Sequence, residues 1–339
     1  MKKKTVKYVL MSVGGAVLVF LIILAGFFIA EPQNRKKYEL YSFDSIDLSD
    51  GGERIHFLET GGSDAILLES NGRFALVDSG EDTDNPRGFD ELDYTGYETR
   101  VVNYLNEVAG NADGKVHLDF VVGTHAHSDH IGGFDTVILD EDITVEKAYL
   151  KEYDASVIKK KETEDWDNQE VYDQMVDACE KRGVEIISDI PQESFVFGDM
   201  TVTFFNTEPL GIDNIGENEN SMGVLVEAAG KKAFLSGDIN NIEGTESAIK
   251  DEIGKVDLLK LGHHGYDFSS SVGFLQTLKP DIAIVTNSSL FVNLGARMTL
   301  TSFGCPFYAT VNFNGIVAQF NDEGIKLYND LHKDEIQWD

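Results

Sequence analysis

Three of the chain's eight histidines fall within six residues, in the run Thr124-His125-Ala126-His127-Ser128-Asp129-His130-Ile131-Gly132-Gly133. Two histidines two apart in extended chain point to the same side, so the imidazoles of His125 and His127 can reach one ion. Asp129 and His130 follow where the chain should turn into a helix, which aims them at a second ion nearby. Gly132 and Gly133 are expected to let the backbone turn tightly beside the site. Imidazole and carboxylate are the donors zinc accepts when it keeps an open position for water. His56, His117 and His332 match no such pattern and read as structural or surface residues.

The elements that must position these residues are short apolar runs at strand length. Residues 65–69 and 74–77 flank Ser70-Asn71-Gly72 and form an expected hairpin. Residues 118–123 form a strand that ends directly at the histidine cluster. From Trp166 to Lys181, Val171, Met175, Val176 and Cys179 recur at helical spacing, with Gly183 as a stop. Residues 184–188, 202–205, 222–227 and 233–235 return to strand, the last two joined at Gly230-Lys231. Strands over 258–262 and 282–286 enclose a helix over 271–278. Strands with inserted helices imply sheets packed together and flanked by helices.

Outside this body, Lys2, Lys3, Lys4 and Lys7 precede an uncharged stretch from Tyr8 to Ala30. Twenty-three residues in a helix rise about 35 Å, enough for the roughly 30 Å hydrocarbon core. The organisation expected is therefore a basic cytoplasmic tail (1–7), a single transmembrane anchor (8–30), a tether (31–48), one folded domain (49–330) and a short tail (331–339). The short basic end stays in the cytoplasm, which puts the folded body at the cell membrane facing outward. Arg35, Lys36 and Lys37 beyond the span keep that bias slight. Beyond residue 37 the chain has 21 basic and 58 acidic residues, a net charge of −37. Such a body repels polyanions and excludes nucleic acid as a partner. Cys179 and Cys305 form no disulfide framework or zinc-finger pattern. The acidic loop Glu81-Asp82-Thr83-Asp84 reads as a solvated loop rather than a calcium site.

The run His125-x-His127-x-Asp129-His130 resembles the metal-binding motif of the metallo-β-lactamase superfamily. The resemblance implies an α/β fold, the αβ/βα sandwich, with metals held at one edge. It extends to Asp78 in Val77-Asp78-Ser79-Gly80, an aspartate that would support the metal loop. Asp238 in Leu235-Ser236-Gly237-Asp238 would bridge two ions, and His263-His264-Gly265 would supply a further histidine ligand. Which of the pair ligates stays open. No histidine lies between His130 and His263, so the family's third-motif histidine is absent. Asn218-Glu219-Asn220-Ser221 stands there instead, as in the competence-protein-like branch, and leaves the first ion short of a usual ligand.

A further likeness is to the phosphorylcholine esterase module of choline-binding surface proteins. It is carried by residues 62–72 and 77–82, Tyr149-Leu150-Lys151-Glu152-Tyr153, Trp166-Asp167-Asn168, Phe197-Gly198-Asp199-Met200, Asn220-Ser221 and residues 254–258. It fades past residue 290, where the chain could shape the substrate pocket. The likeness implies a metal-dependent hydrolase with two zinc ions and a cell-envelope or lipid phosphoester as substrate. Asp129 and Asp238 would hold the site. The non-ligating histidine of the pair, with His264 and Asn220 as candidates beside Asp129, would act on the ester. A choline headgroup needs aromatic faces, and Trp166, Tyr149, Tyr153 and Tyr266 are the candidates. The same ions would equally serve an ester, lactone or lactam. A metal-free binding or sensor module is the non-enzymatic alternative, which metal content discriminates.

Overall fold

The computed structural model describes residue 26, residues 29–82 and residues 96–332. Among the described residues seventeen strands form two sheets. In chain order they are β1 (Leu40–Ser42), β2 (Glu53–Phe57), β3 (Ala65–Ser70), β4 (Arg73–Ser79), β5 (Val116–Gly123), β6 (Ile143–Val145), β7 (Lys147–Leu150) and β8 (Glu185–Ile187). They continue as β9 (Phe195–Phe197), β10 (Met200–Phe205), β11 (Gly223–Ala228), β12 (Lys231–Leu235), β13 (Leu258–Lys260), β14 (Ile282–Val285), β15 (Phe307–Ala309), β16 (Ile316–Asn321) and β17 (Gly324–Asn329). The first sheet runs β1-β17-β16-β2-β3-β4-β5-β7-β8 with β6 beside β5, and the second runs from β15 in descending order to β9.

Alternation along the strands explains the layering. On β3 and β4, Ile66, Leu68, Ala75 and Val77 face the second sheet, where Val202, Val224, Val226 and Leu235 meet them. Their neighbours Leu67 and Leu76 turn outward onto Val101, Leu105, Phe134 and Met175 of the covering helices. The second sheet's outer face, Leu225, Phe234 and Leu259, packs on Phe274, Leu275 and Leu300. Each large apolar side chain so buried contributes about 1.5–3 kcal/mol. Helix, sheet, sheet and helix therefore stack around three apolar layers, the expected αβ/βα sandwich.

Most expected elements are present, with edges shifted. Asn71 and Gly72 both take positive φ, 51° and 71°, which matches a two-residue turn to the strand twist. The second hairpin turns at Ala229-Gly230, one residue earlier than expected, again with both φ positive. The helix expected over Trp166–Lys181 is present as Asn168–Arg182, starting two residues later because Trp166 is extended after a separate short helix, Lys160–Asp165. Gly183 closes the second helix in the left-handed region at φ 71°.

Residues 31–48 are not a free tether. Glu31 pairs with Arg297, the Tyr308 hydroxyl donates to the Arg35 carbonyl at 3.0 Å, and β1 runs parallel to β17. The C-terminal hairpin β16–β17 joins the first sheet beside β2, so this segment is stitched to the domain by its far end. The expected anchor at 8–30 lies almost wholly outside the described residues, as do Thr83, Asp84 and residues 333–339. Among the described residues no helix is long and apolar enough to cross a membrane. Glu81 and Asp82 are buried, not solvated. Cys179 and Cys305 are both free and lie in the two opposite outer cores.

Candidate metal centre

The site lies where β4, β5, β12 and β13 end. Asp78 closes β4 at φ 57°, a left-handed conformation tolerated because its side chain is over-determined. Thr124 donates to it twice, from N and Oγ1, each at 2.8 Å, and His130 Nδ1 lies 2.8 Å from its Oδ2. Asp78 thus holds the metal loop, as expected. Gly132 and Gly133 serve differently from expectation. Their φ values are −58° and −84°, and what they permit is close approach. A Cβ on Gly132 would lie 2.6 Å from Asp82 N, and one on Gly133 2.6 Å from Ser79 O.

Two donor groups meet at Asp238. His130 Nε2 is 3.1 Å from Asp238 Oδ1 and 3.1 Å from His264 Nε2. His264 Nε2 is in turn 3.3 Å from both Asp238 Oδ1 and Asp129 Oδ2. Donors about 2.0–2.2 Å from one tetrahedral ion stand roughly 3.3 Å apart, so these spacings are the edges of a coordination polyhedron. On the other side, His125 Nε2 and His127 Nδ1 are 3.0 Å apart and group with Asp238. His127 gives its remaining nitrogen to Glu162 at 3.0 Å, which fixes the ring. Asn218 Oδ1 lies 3.1 Å from His125 Nε2.

Electrostatics fit a divalent cation. Asp64, Asp78 and Asp238 are fully buried and Asp129 largely so, against the single ammonium of Lys260. Burial opposes charge on His130, but Asp238, Asp78 and Asp129 outweigh it and drive its pKa up to about 10. Burial, then His130 and His127, hold His125 well below its ordinary value, in the neutral form a metal needs. Asp129 Oδ1 is buried with no hydrogen-bond partner. The buried carboxylates favour positive charge among the donors, which protonated His130 and His264 or a bound cation can each supply.

The pair left open is resolved geometrically. His264 is buried among the donors, while His263 is 30% exposed with Nε2 at 3.9 Å from Asp238 Oδ2. Both take positive φ of 50°, uncommon for histidine, which turns adjacent rings into different environments. His264 therefore belongs with the metal donors, and His263 is the partly exposed member at their edge.

Other expectations need correction. Asn220 Nδ2 donates to Glu217 at 2.9 Å, away from the donors, because the short helix Glu217–Asn220 turns Asn218 toward them instead. Tyr149 is an inter-sheet core residue, edge-on to Phe120 and against Phe204, because β7 points it inward. Tyr153 is buried against Tyr172. Trp166 and Tyr266 do border the site: Trp166 stacks on His127 at 5.1 Å, and Tyr266 lies edge-on to His263 at 5.5 Å. Phe291, past the limit of the sequence likeness, adds a ring 5.9 Å from Tyr266. His56 and His332 pack on Tyr104, and His117 is exposed, as expected.

Three residues escaped sequence reading: Glu162, Asp64 and Lys260. Glu162 sits in acidic surroundings with no distinguishing pattern, and Asn218, though within the stretch 218–221 singled out, was passed over for Asn220. Lys260 does carry a signal, a lone cation inside the apolar run Leu258-Leu259-Lys260-Leu261.

A family model described as the Beta-lactamase superfamily domain matches residues 98–271, just over half of the 339-residue chain. The chain belongs to this superfamily. The cluster above gives this superfamily domain the donor types of a metal site. Among curated proteins it is similar to ComE operon protein 3 of Bacillus subtilis, 28% identical over 184 residues, 52% of this chain and 20% of that protein. It is also similar to Recombination protein 2 of Haemophilus influenzae, 30% identical over 79 residues, 23% of this chain and 10% of that protein. This superfamily member thus spans a fifth or less of the length of those relatives. The first similarity supports the competence-protein-like branch. Among solved structures the chain is similar to the metallo-beta-lactamase fold protein YhfI of Bacillus subtilis, 12% identical, TM-score 0.47, covering 78% of this chain and 98% of that one. Another is Zn(2+)-bound PqqB of Methylobacterium extorquens, 15% identical, TM-score 0.44, covering 75% and 86%.

Proposed function

We propose that this chain is a di-zinc phosphodiesterase acting on a phosphorylcholine ester of the cell envelope or of lipid. The observation that carries the reading is the sharing of Asp238 by two adjacent donor groups, one with His125 and His127, the other with His130 and His264. These two groups would hold the ions, which would supply the charge stabilisation that the entering and departing oxygens need in displacement at phosphorus. Asn218 would complete the first group, and Asp129 the second. When bound, the ions supply Lewis acidity and an acidified water. The chain's own residues do the rest. Glu162 and Asp78 fix the rings of His127 and His130, and His263, at the open side, stands ready to pass a proton to the departing alkoxide.

Trp166 and Tyr266 support the choline part of the reading: they wall the two histidine pairs with aromatic faces, which attract a quaternary ammonium. The net charge of −37 beyond residue 37 favours a cationic headgroup and disfavours nucleic acid.

We place the enzyme on the outer face of the cell membrane, anchored by residues 8–30. Because residues 31–42 pack on the domain, the body would sit against the bilayer surface instead of on a flexible stalk. The decisive assay uses the full chain in detergent with zinc. Release of phosphorylcholine from choline phosphodiesters is expected. Turnover of bis-aryl phosphate without choline esters removes the choline assignment and keeps the phosphodiesterase. Hydrolysis of a lactam or lactone alone replaces both.

A further inference from the structure

Asp64 and Lys260 are both fully buried beside the donor groups. Asp64 precedes β3, and its backbone is tied at both ends: its N–H donates to Asp129 O at 3.0 Å, and its carbonyl accepts from Gly80 N at 2.7 Å. Lys260 ends β13. Its Nζ donates to Gly237 O at 2.8 Å and forms an ion pair with Asp64 Oδ2. The other oxygen, Asp64 Oδ1, lies 3.3 Å from His264 Nδ1, with Thr286 Oγ1 3.2 Å from the same nitrogen.

By proximity alone, Asp64 groups with His130, Asp238 and His264 as a fourth metal donor. The contacts separate it from them. Asp64 meets His264 on Nδ1, whereas Asp129, His130 and Asp238 meet that ring on Nε2, at its opposite edge. Asp64 Oδ2 is already engaged by an ammonium, and it stays 3.8 Å from His130 Nδ1. The arrangement repeats what Asp78 does for His130, whose Nδ1 it holds while Nε2 faces Asp238. A carboxylate on the far nitrogen of a ligating imidazole sets the tautomer and aims the ring.

We propose that Asp64 is a positioning residue and not a metal donor: clamped by Lys260, it takes the Nδ1–H of His264 and so turns Nε2 toward an ion shared with Asp129, His130 and Asp238. Lys260 is the lock that holds Asp64 Oδ2 on an ammonium while Oδ1 faces the Nδ1 edge of His264. This rests on the metal-binding reading of the site and not on the choice of phosphoester.

The test compares two variants of the full chain in a Lys260→Met background, which removes the buried charge that would otherwise be stranded. Adding Asp64→Asn keeps an acceptor for His264, and adding Asp64→Ala removes it. Zinc per chain is counted after dialysis against buffered zinc, and the visible spectrum of the cobalt-loaded protein reports the donor set. Circular dichroism verifies folding. The Asn variant is expected to hold both ions with an unchanged cobalt spectrum. The Ala variant is expected to bind one of them about 10–100-fold more weakly. Equal weakening in both variants would make Asp64 a donor, and wild-type affinity in both would make it structural only; each overturns the proposal. If the Lys260→Met proteins do not fold, Asp64→Asn alone decides, and loss of an ion there overturns it. A wild-type chain that binds no ion removes the metal reading too, whereas an unaffected Ala variant beside a two-ion wild type leaves that reading standing.

Discussion

His130 and His264, carried by short helical turns that follow strands of opposite sheets and 134 residues apart in sequence, bring their Nε2 atoms to 3.1 Å while each surrenders its Nδ1 side to a different aspartate. Two imidazoles oriented from behind and converging in front form a preorganised half of a coordination shell. Little rearrangement is then needed when a cation enters.

That convergence makes the donors more sensitive than their surroundings. Outer partners of metal ligands typically cost about 10–100-fold in affinity or activity when removed, and a direct donor should cost more. His130→Ala and Asp238→Ala are expected to lose bound metal and to cut phosphodiester turnover by more than about 100-fold. Zinc content and kcat measured together check this. Full activity in an ion-free Asp238→Ala protein would remove the metal from the reaction.

Trp166 and Tyr266 flank the cleft from two sides, so their loss should fall on recognition of a cationic headgroup. Desolvated cation–π contacts reach about 2 kcal/mol, roughly 30-fold. Trp166→Ala and Tyr266→Ala are expected to raise KM for a choline phosphodiester by about 5–30-fold, with bis-aryl phosphate little changed. Equal effects on both substrates would mean the rings only shape the cleft.

Tyr149, by contrast, should act on stability and leave substrate choice alone. It is 4% exposed and packed among Phe120, Phe195 and Phe204. Tyr149→Ala is expected to cost about 3–5 kcal/mol by analogy with other buried aromatics, read by chemical denaturation. The ratio of KM values for the two substrates should stay at wild type.

His332 gives the fold a pH dependence away from the site. Burial first, then Arg100, push its pKa down to about 4 from 6.5. Between those values the unfolded chain binds a proton that the folded chain refuses, so stability falls as pH drops from 6.5 toward 4. The loss reaches about 3 kcal/mol at most. His56 is pushed down by burial in the same direction, against the pull of Glu69. His332→Gln should therefore flatten only part of the acid-side slope. Denaturation midpoints at pH 7 and pH 5 test it, and an unchanged slope would mean the ring is protonated in place.

How much of this was legible beforehand depends on whether a residue acts locally or across the fold. The 125–130 run advertised itself because its donors are neighbours in the chain and the strand ahead of it sets their direction. The β3–β4 hairpin was equally local: Asn71 and Gly72 supply the positive φ values its turn requires. Tyr149 misled because a ring's chemistry is the same in a core as in a cleft, and only the facing of β7 decides which it joins.

The amino-acid sequence by itself determined the strand periodicity, the turns and the donor types of the metal cluster, because those depend on neighbours within a few residues. Only the tertiary structure decided that His264 and not His263 joins the donors, that Asn218 and not Asn220 meets His125, and that Lys260 claims Asp64. Each of these choices compares distances between segments from different strands, and such distances exist only once the two sheets have closed on each other.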